Sequence, residues 1–438
     1  MSPEDSGSNR APHSKDQLSR YGRYLEDSSA EDSVGFLVEI GAGGQSTDVE
    51  LEQPDDEAYG SEDRVTAPYD PSKMEIQTLN PTINLLISRL SHGMIDLAPD
   101  FQRKAGIWSD EQQSRLIESL LLRIPLPSFY AAENEDSTWV EDSSWAIVDG
   151  IQRLTAIARF IAPDALAEVA GIHAGPLKLR GLEYLREDFE GKGYDDLSGR
   201  MQIRLNETQV VVHLIRPGTP EEVKFNIFAR INTGGLPLTR QEIRHALIPG
   251  PARELLSSLA FSPEFASATG YRVSGERMAD REMVLRHLAF RLTDPDLFRS
   301  QDFDQFLAQT MRQVNRLTDE ERATHARDFK RAMVTAEEIF GGHTFRKQFP
   351  GQTRRSPVNK AIFETVSVNL AVLSDHERSA LVASREQVTE GFQQLMADPD
   401  FERAVSVGTG DRVKVVNRFA KVRGLFRTVL ENNGGSTQ

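Results

Sequence analysis

Along the 438-residue chain the spacing of apolar and polar positions changes character three times. Over the first 66 residues Ser, Gly, Asp and Glu predominate, and Phe36-Leu37-Val38-Glu39-Ile40 is the one short apolar island. So little apolar surface does not offset the entropy of ordering a chain, and residues 1–66 are expected to be an acidic disordered tail. From Pro71 onward helix and strand patterns alternate. Ser109 followed by Gln112 is a capping-box pair, and Leu116, Ile117, Leu120 and Leu121 keep helical spacing until Ile124-Pro125-Leu126-Pro127. Phe129 to Ala132 and Trp145 to Val148 are short apolar runs of strand type, and a helix over residues 152–161 follows, with Pro163 as its stop. Thr208 to Ile215 is β-branched enough for a buried strand. Thr219-Pro220-Glu221-Glu222 then opens a helix through Phe225, Phe228 and Ile231, and Thr239 with Glu242 caps the next.

Beyond Pro249-Gly250-Pro251 only helical stripes remain: Leu285, Leu288, Ala289 and Leu292; Phe303, Phe306, Leu307, Thr310 and Val314; and finally Val415, Phe419, Val422, Phe426 and Val429. The expected architecture is α+β: a mixed unit over residues 67–250, an all-α unit over 251–431 packed on it, and a disordered end at 432–438.

Composition sharpens this picture in two places. The chain has no cysteine, which excludes disulfides, thiolate metal sites and cysteine nucleophiles. Its net charge of -15 is concentrated at one end, where residues 1–70 hold 17 acidic against 5 basic side chains. The remainder is close to neutral and can carry basic patches. No apolar run approaches the ~18 residues of a membrane span, and the opening MSPEDSGSNR lacks the apolar centre of a signal peptide, so a cytoplasmic protein without a membrane partner is expected.

The segment Trp145-Ala146-Ile147-Val148-Asp149-Gly150-Ile151-Gln152-Arg153-Leu154 holds the most chemistry. A strand delivers Asp149 to its carboxyl end, Gly150 turns the chain, and Gln152 and Arg153 fall in the first turn of a helix, whose free N–H groups and dipole favour an anion. Arg153 is a candidate phosphate donor, Gln152 a candidate to orient water, and Asp149 a candidate proton acceptor or Mg2+ ligand. The same residues also fit a plain turn in which Arg153 pairs with Asp149 at i+4. Two further clusters flank it in sequence: Phe101-Gln102-Arg103, just before Trp108, and Phe228-Ala229-Arg230-Ile231-Asn232-Thr233-Gly234-Gly235, where paired glycines serve either a phosphate or a helix end.

Taken together, the runs LAPDFQR, LLLRIPLPSFY, AIVDGIQRL and FARINTGG resemble the N-terminal domain family of GmrSD-type restriction endonucleases over roughly residues 68–250. The resemblance implies a ParB/sulfiredoxin-like fold and a place in bacterial phage defence. It further implies nucleoside triphosphate hydrolysis with Mg2+ at Asp149, Gln152 and Arg153, and nucleotide contacts from Gln102, Arg103, Gly150, Arg230 and Asn232. DNA and a separately encoded nuclease or modification enzyme are the implied partners. The family motif D-G-Q-Q-R has Ile151 here in place of its first Gln; by spacing with Leu154 and Ala158, Ile151 is expected to pack inward. If that Gln is needed for turnover, the alternative is a non-hydrolysing ParB-like sensor of DNA or nucleotide. No phosphate loop of the G-x-x-x-x-G-K-[ST] type is present, and the nine histidines are scattered, His343 with Asn359 being the nearest imitation of a fused HNH nuclease site. Two basic stretches remain: Arg346, Lys347, Arg354, Arg355 and Lys360, and a final helix on which Arg412, Lys414, Arg418 and Lys421 are candidates to follow a DNA backbone.

Overall fold

The computed structural model describes residues 22–25, 36–40, 46–52, 74–97, 108–133, 144–170, 172–220, 223–224, 227, 238–275, 277–299, 302–352 and 354–434. Its strands are β1 Gly22–Leu25, β2 Phe36–Ile40, β3 Ser46–Glu50, β4 Ile76–Leu79, β5 Ile95–Asp96, β6 Phe129–Glu133, β7 Trp145–Asp149 and β8 Val212–Ile215. The first seven helices are α1 Ile83–Ser91, α2 Asp110–Leu121, α3 Ile151–Ile161, α4 Pro163–Ala170, α5 Arg186–Phe189, α6 Gly199–Glu207 and α7 Arg240–Leu247. Among the described residues ten more follow without a strand: α8 Pro251–Ala260, α9 Pro263–Ala268, α10 Ala279–Leu292, α11 Phe303–Arg316, α12 Asp319–Phe340, α13 Lys360–Ala371, α14 Asp375–Ala383, α15 Arg385–Ala397, α16 Pro399–Ser406 and α17 Arg412–Gly434. The fold is α+β, as expected.

Strands β4 to β8 form one mixed sheet in the order β4-β8-β6-β7-β5. Alternation along each strand divides its side chains. Phe129, Ala131, Trp145, Ile147, Val212 and Leu214 face a core closed by α1, α2 and α3, whereas Ala132, Val148 and Ile215 face Ile243 of α7. Capping is as the sequence predicts: Ser109 with Gln112 and Thr239 with Glu242 each make both bonds of a capping box. The strand expected over 208–215 is shorter, because Thr208 caps the end of α6 and only Val212–Ile215 joins the sheet.

The expectation of a disordered tail over residues 1–66 is corrected where that segment is described. β1, β2 and β3 form an antiparallel sheet in that order, and Val38 and Val49 are fully buried. β3 extends onto the helical part: Glu50 N–H donates to the Val358 carbonyl at 2.8 Å, and Val358 N–H to the Asp48 carbonyl at 2.7 Å. The acids of the segment find cations far along the chain. Glu39 meets Lys360 at 2.6 Å, Asp48 meets Arg346 at 2.6 Å, Glu50 meets Lys347 at 2.8 Å, and Glu52 takes a bond from Arg286 at 2.8 Å. Composition missed this because the partners that neutralise these carboxylates lie some 300 residues away.

Those pairs feed an ionic core. Arg286 also meets Glu282 and Glu364, and Lys360 meets Glu282. Burial alone would raise the Glu282 carboxyl, but Lys360, Arg286 and Arg244 outweigh it and hold it below the usual carboxylate range. Burial pushes the Arg244 guanidinium down to about 10.

Candidate functional site

β7 ends on Asp149, and Gly150 turns the chain into α3 with φ of 93°. Only glycine fits this point: a Cβ on Gly150 would lie 2.5 Å from the Phe129 ring. Gly150 caps α3 without a side-chain bond, so the first N–H groups of the helix, from Ile151 to Arg153, have no capping acceptor. Ile151 is buried in the sheet-and-helix core beside Leu154 and Ala158, as its spacing predicts.

Register places Asp149 in a row of polar groups. Between the pairs Tyr130↔Asp149 and Ala131↔Ile147 one residue of β7, Val148, is extra, a β-bulge that sets Asp149 opposite Tyr130. Tyr130 pairs in turn with His213 on β8, and His213 with Thr78 on β4. The Tyr130 and His213 ring centroids are 4.8 Å apart, and His213 Nδ1 lies 3.1 Å from Thr78 Oγ1. One level of the sheet, across four strands, thus carries Asp149, Tyr130, His213 and Thr78. The sequence reading missed Tyr130 and His213; the signal was a polar ring interrupting each of two apolar strands, FYAAE and VHLI.

Arg153 does not stand free beside this row. Its guanidinium donates to Asp149 Oδ2 at 2.8 Å, to the Ser128 carbonyl at 3.2 Å and to the Pro127 carbonyl, and it lies over the Phe129 ring at 4.7 Å. Burial lowers its proton affinity from the ordinary arginine value, opposed by Asp149. The i+4 pair weighed from sequence is present, and Arg153 braces the turn. Gln152 accepts a bond from Trp108 N–H at 3.3 Å, which ties the first described residue after the Phe101-Gln102-Arg103 segment to the start of α3. Gln102, Arg103, Arg230 and Asn232 lie outside the described residues. Ile227 and Leu238, which bracket the second of those segments, pack on the same small core as Val148.

The DNA-binding expectation for α17 meets a different environment. Arg418 is fully buried, paired with Glu364 and bonded to the Thr409 carbonyl at 2.7 Å, so it belongs to the core and not to a surface track. Lys421 pairs with Asp398 at 2.5 Å, Lys414 donates to the Val407 carbonyl at 2.9 Å, and Arg412 to the Phe298 carbonyl at 3.2 Å. In the other basic stretch Arg346, Lys347 and Lys360 are likewise consumed, buried beneath the N-terminal acids, whereas Arg354 and Arg355 are exposed. Asn359 caps α13 and donates to Glu50 and the Val405 carbonyl. Among the described residues no three His, Asp or Glu side chains gather to hold a metal ion.

The α+β scaffold thus ends a strand on a carboxylate, turns at a glycine and starts a helix without a side-chain cap. Residues 83–249 match the family model described as GmrSD restriction endonuclease, N-terminal domain. The match supports the family read from the motifs and indicates a component of a restriction or phage-defence system. No curated protein matches the chain. No helix among the described residues is long and apolar enough to cross a membrane.

Proposed function

We propose that the unit matched to the restriction family binds a nucleoside triphosphate at the Asp149–Arg153 turn and hydrolyses it slowly, as part of a system that senses or acts on DNA. The observation that carries this reading is convergence: described residues bordering both other motif segments, Trp108 on one side and Ile227 and Leu238 on the other, pack at or beside the β7–α3 turn. The uncapped N–H groups of α3 would receive a phosphate, and the NH2 group of Gln152, whose oxygen is engaged by Trp108, would donate to a phosphate oxygen or the attacking water. Among the described residues Asp149 offers the one carboxylate at the turn. That suits Mg2+ only as an ion brought largely by the triphosphate, since Mg2+ commonly uses one or two carboxylates beside phosphate oxygens and water. The ion would neutralise phosphate charge, while Asp149 would accept the proton of the attacking water. Arg153 would act indirectly, by fixing Asp149.

A second reading, a sensor that binds without turnover, is favoured by Ile151 where the family motif has Gln and by the engagement of Arg153 with backbone carbonyls. Phosphate release by wild type, Asp149→Ala and Ile151→Gln, with Mg2+ and each nucleoside triphosphate, decides between them. Slow wild-type turnover abolished by Asp149→Ala is expected. An inert wild type that binds nucleotide and gains turnover through Ile151→Gln would make the protein a sensor.

A further inference from the structure

A groove of about 550 Å3 opens between the end of α2 and the length of α6. Arg123 and Ile124 line it from the segment after α2, and Arg200, Ile203, Arg204 and Glu207 from α6. Arg123 and Arg200 are exposed and Arg204 is half-buried. Among the described residues none of these three guanidiniums meets a carboxylate. Their neighbours in the same unit do: Arg115, Arg159, Arg180 and Arg216 are each paired. The groove therefore holds unspent positive charge, whereas Arg346, Lys347, Lys360, Arg418 and Lys421 of the other basic stretches are paired internally.

Two more features fit a ligand. Arg123 has φ of 63° just beyond the end of α2, a left-handed position where glycine or asparagine is the lower-energy choice. Ile124 and Ile203, 49% and 58% exposed, present bare apolar surface within the basic rim. The geometry points to this groove as a binding site for the phosphodiester backbone of a nucleic acid. Arg200 and Arg204 are one helical turn apart, ~6 Å along the axis, on the order of the separation of neighbouring phosphates. The exposed isoleucines would meet sugars and base edges, and Glu207 is the one acid among the lining residues. The site stands independently of the nucleotide reading, because none of its residues takes part in the β7–α3 turn.

Anisotropy titrations of the full-length chain, with fluorescein-labelled duplex DNA, single-stranded DNA and single-stranded RNA at several salt concentrations, test it. At least one probe is expected to bind; Arg200→Gln with Arg204→Gln weakens it roughly tenfold or more and lowers the slope of log affinity against log salt by about 2. Arg412→Gln with Arg427→Gln on α17 should leave both unchanged. Whichever probe binds best identifies the strand form. Binding of none of the three overturns the inference, as does an unchanged slope in the groove variant or an equal loss in the α17 variant. Thermal melts check that each variant is folded; should the double variant melt early, Arg200→Gln alone, at an exposed helix position, is read in the same way with a slope change of about 1.

Discussion

Arg153 has most of its donors engaged inside the protein, and that changes what its removal does. Arg153→Ala would leave the Pro127 and Ser128 carbonyls and Asp149 without their partner under a side chain only 11% exposed. We expect a loss of about 1–3 kcal/mol in chemical denaturation, with Arg153→Lys recovering only part because an ammonium cannot reproduce the fork. A variant as stable as wild type would return Arg153 to a purely ligand-binding role. The sequence made the turn and its pairing legible, since Asp149 and Arg153 lie four apart on a glycine-entered helix. It did not disclose the carbonyls, which come from residues 25 and 26 positions earlier. Ile151 was legible for the opposite reason: its fate depends on a 3.6-residue period written within its own helix.

Among the elements, α2 shows how a polar side chain organises a loop. Glu118 is 3% exposed and accepts backbone N–H bonds from Glu183, Tyr184 and Leu185 at 3.1, 2.7 and 2.8 Å. Burial would raise this carboxyl, but the three donors prevail and hold it below the ordinary glutamate value. Its contribution is therefore complete above about pH 4.5 and is lost as pH falls through the depressed value. Glu118→Gln should cost on the order of 2 kcal/mol at neutral pH, and the gap to wild type should shrink below about pH 4.5. Parallel denaturation curves at neutral and acid pH would show it; a constant gap would mean the ionised form is not preferred. Local pattern gave α2, α3, β6 and β7 to within a residue or two. The two-residue β5 and the edge strand β4 carry too little pattern to be seen, because their place is set by neighbours in the sheet.

At the scale of the whole molecule, the N-terminal acids act as part of the helical unit. Arg286, Arg346, Lys347 and Lys360, each at most 6% exposed as a side chain, are covered by Glu52, Asp48, Glu50 and Glu39. Removing residues 1–65 should thus lower the melting temperature clearly, by several kcal/mol in stability even after newly exposed cations regain water. Restoring Asp48 and Glu50 as Asn and Gln in the full-length chain, Asp48→Asn with Glu50→Gln, should reproduce part of that loss. A truncated chain that melts with wild type would show the covering sheet to be dispensable. This contribution was invisible in composition, where an acidic, apolar-poor stretch looks the same whether water or a distant arginine solvates it.

The closure between Glu52 and Thr409 joins residues 357 apart. During synthesis at ~5–20 residues per second, Glu52 is made roughly twenty to seventy seconds before Thr409 exists. Strands β1 to β3 are therefore made well before the helices that seat them. Until then the emerging helices hold their buried cations open, and the nascent acidic stretch, free but tethered to the same chain, is the nearest polyanion to fill them.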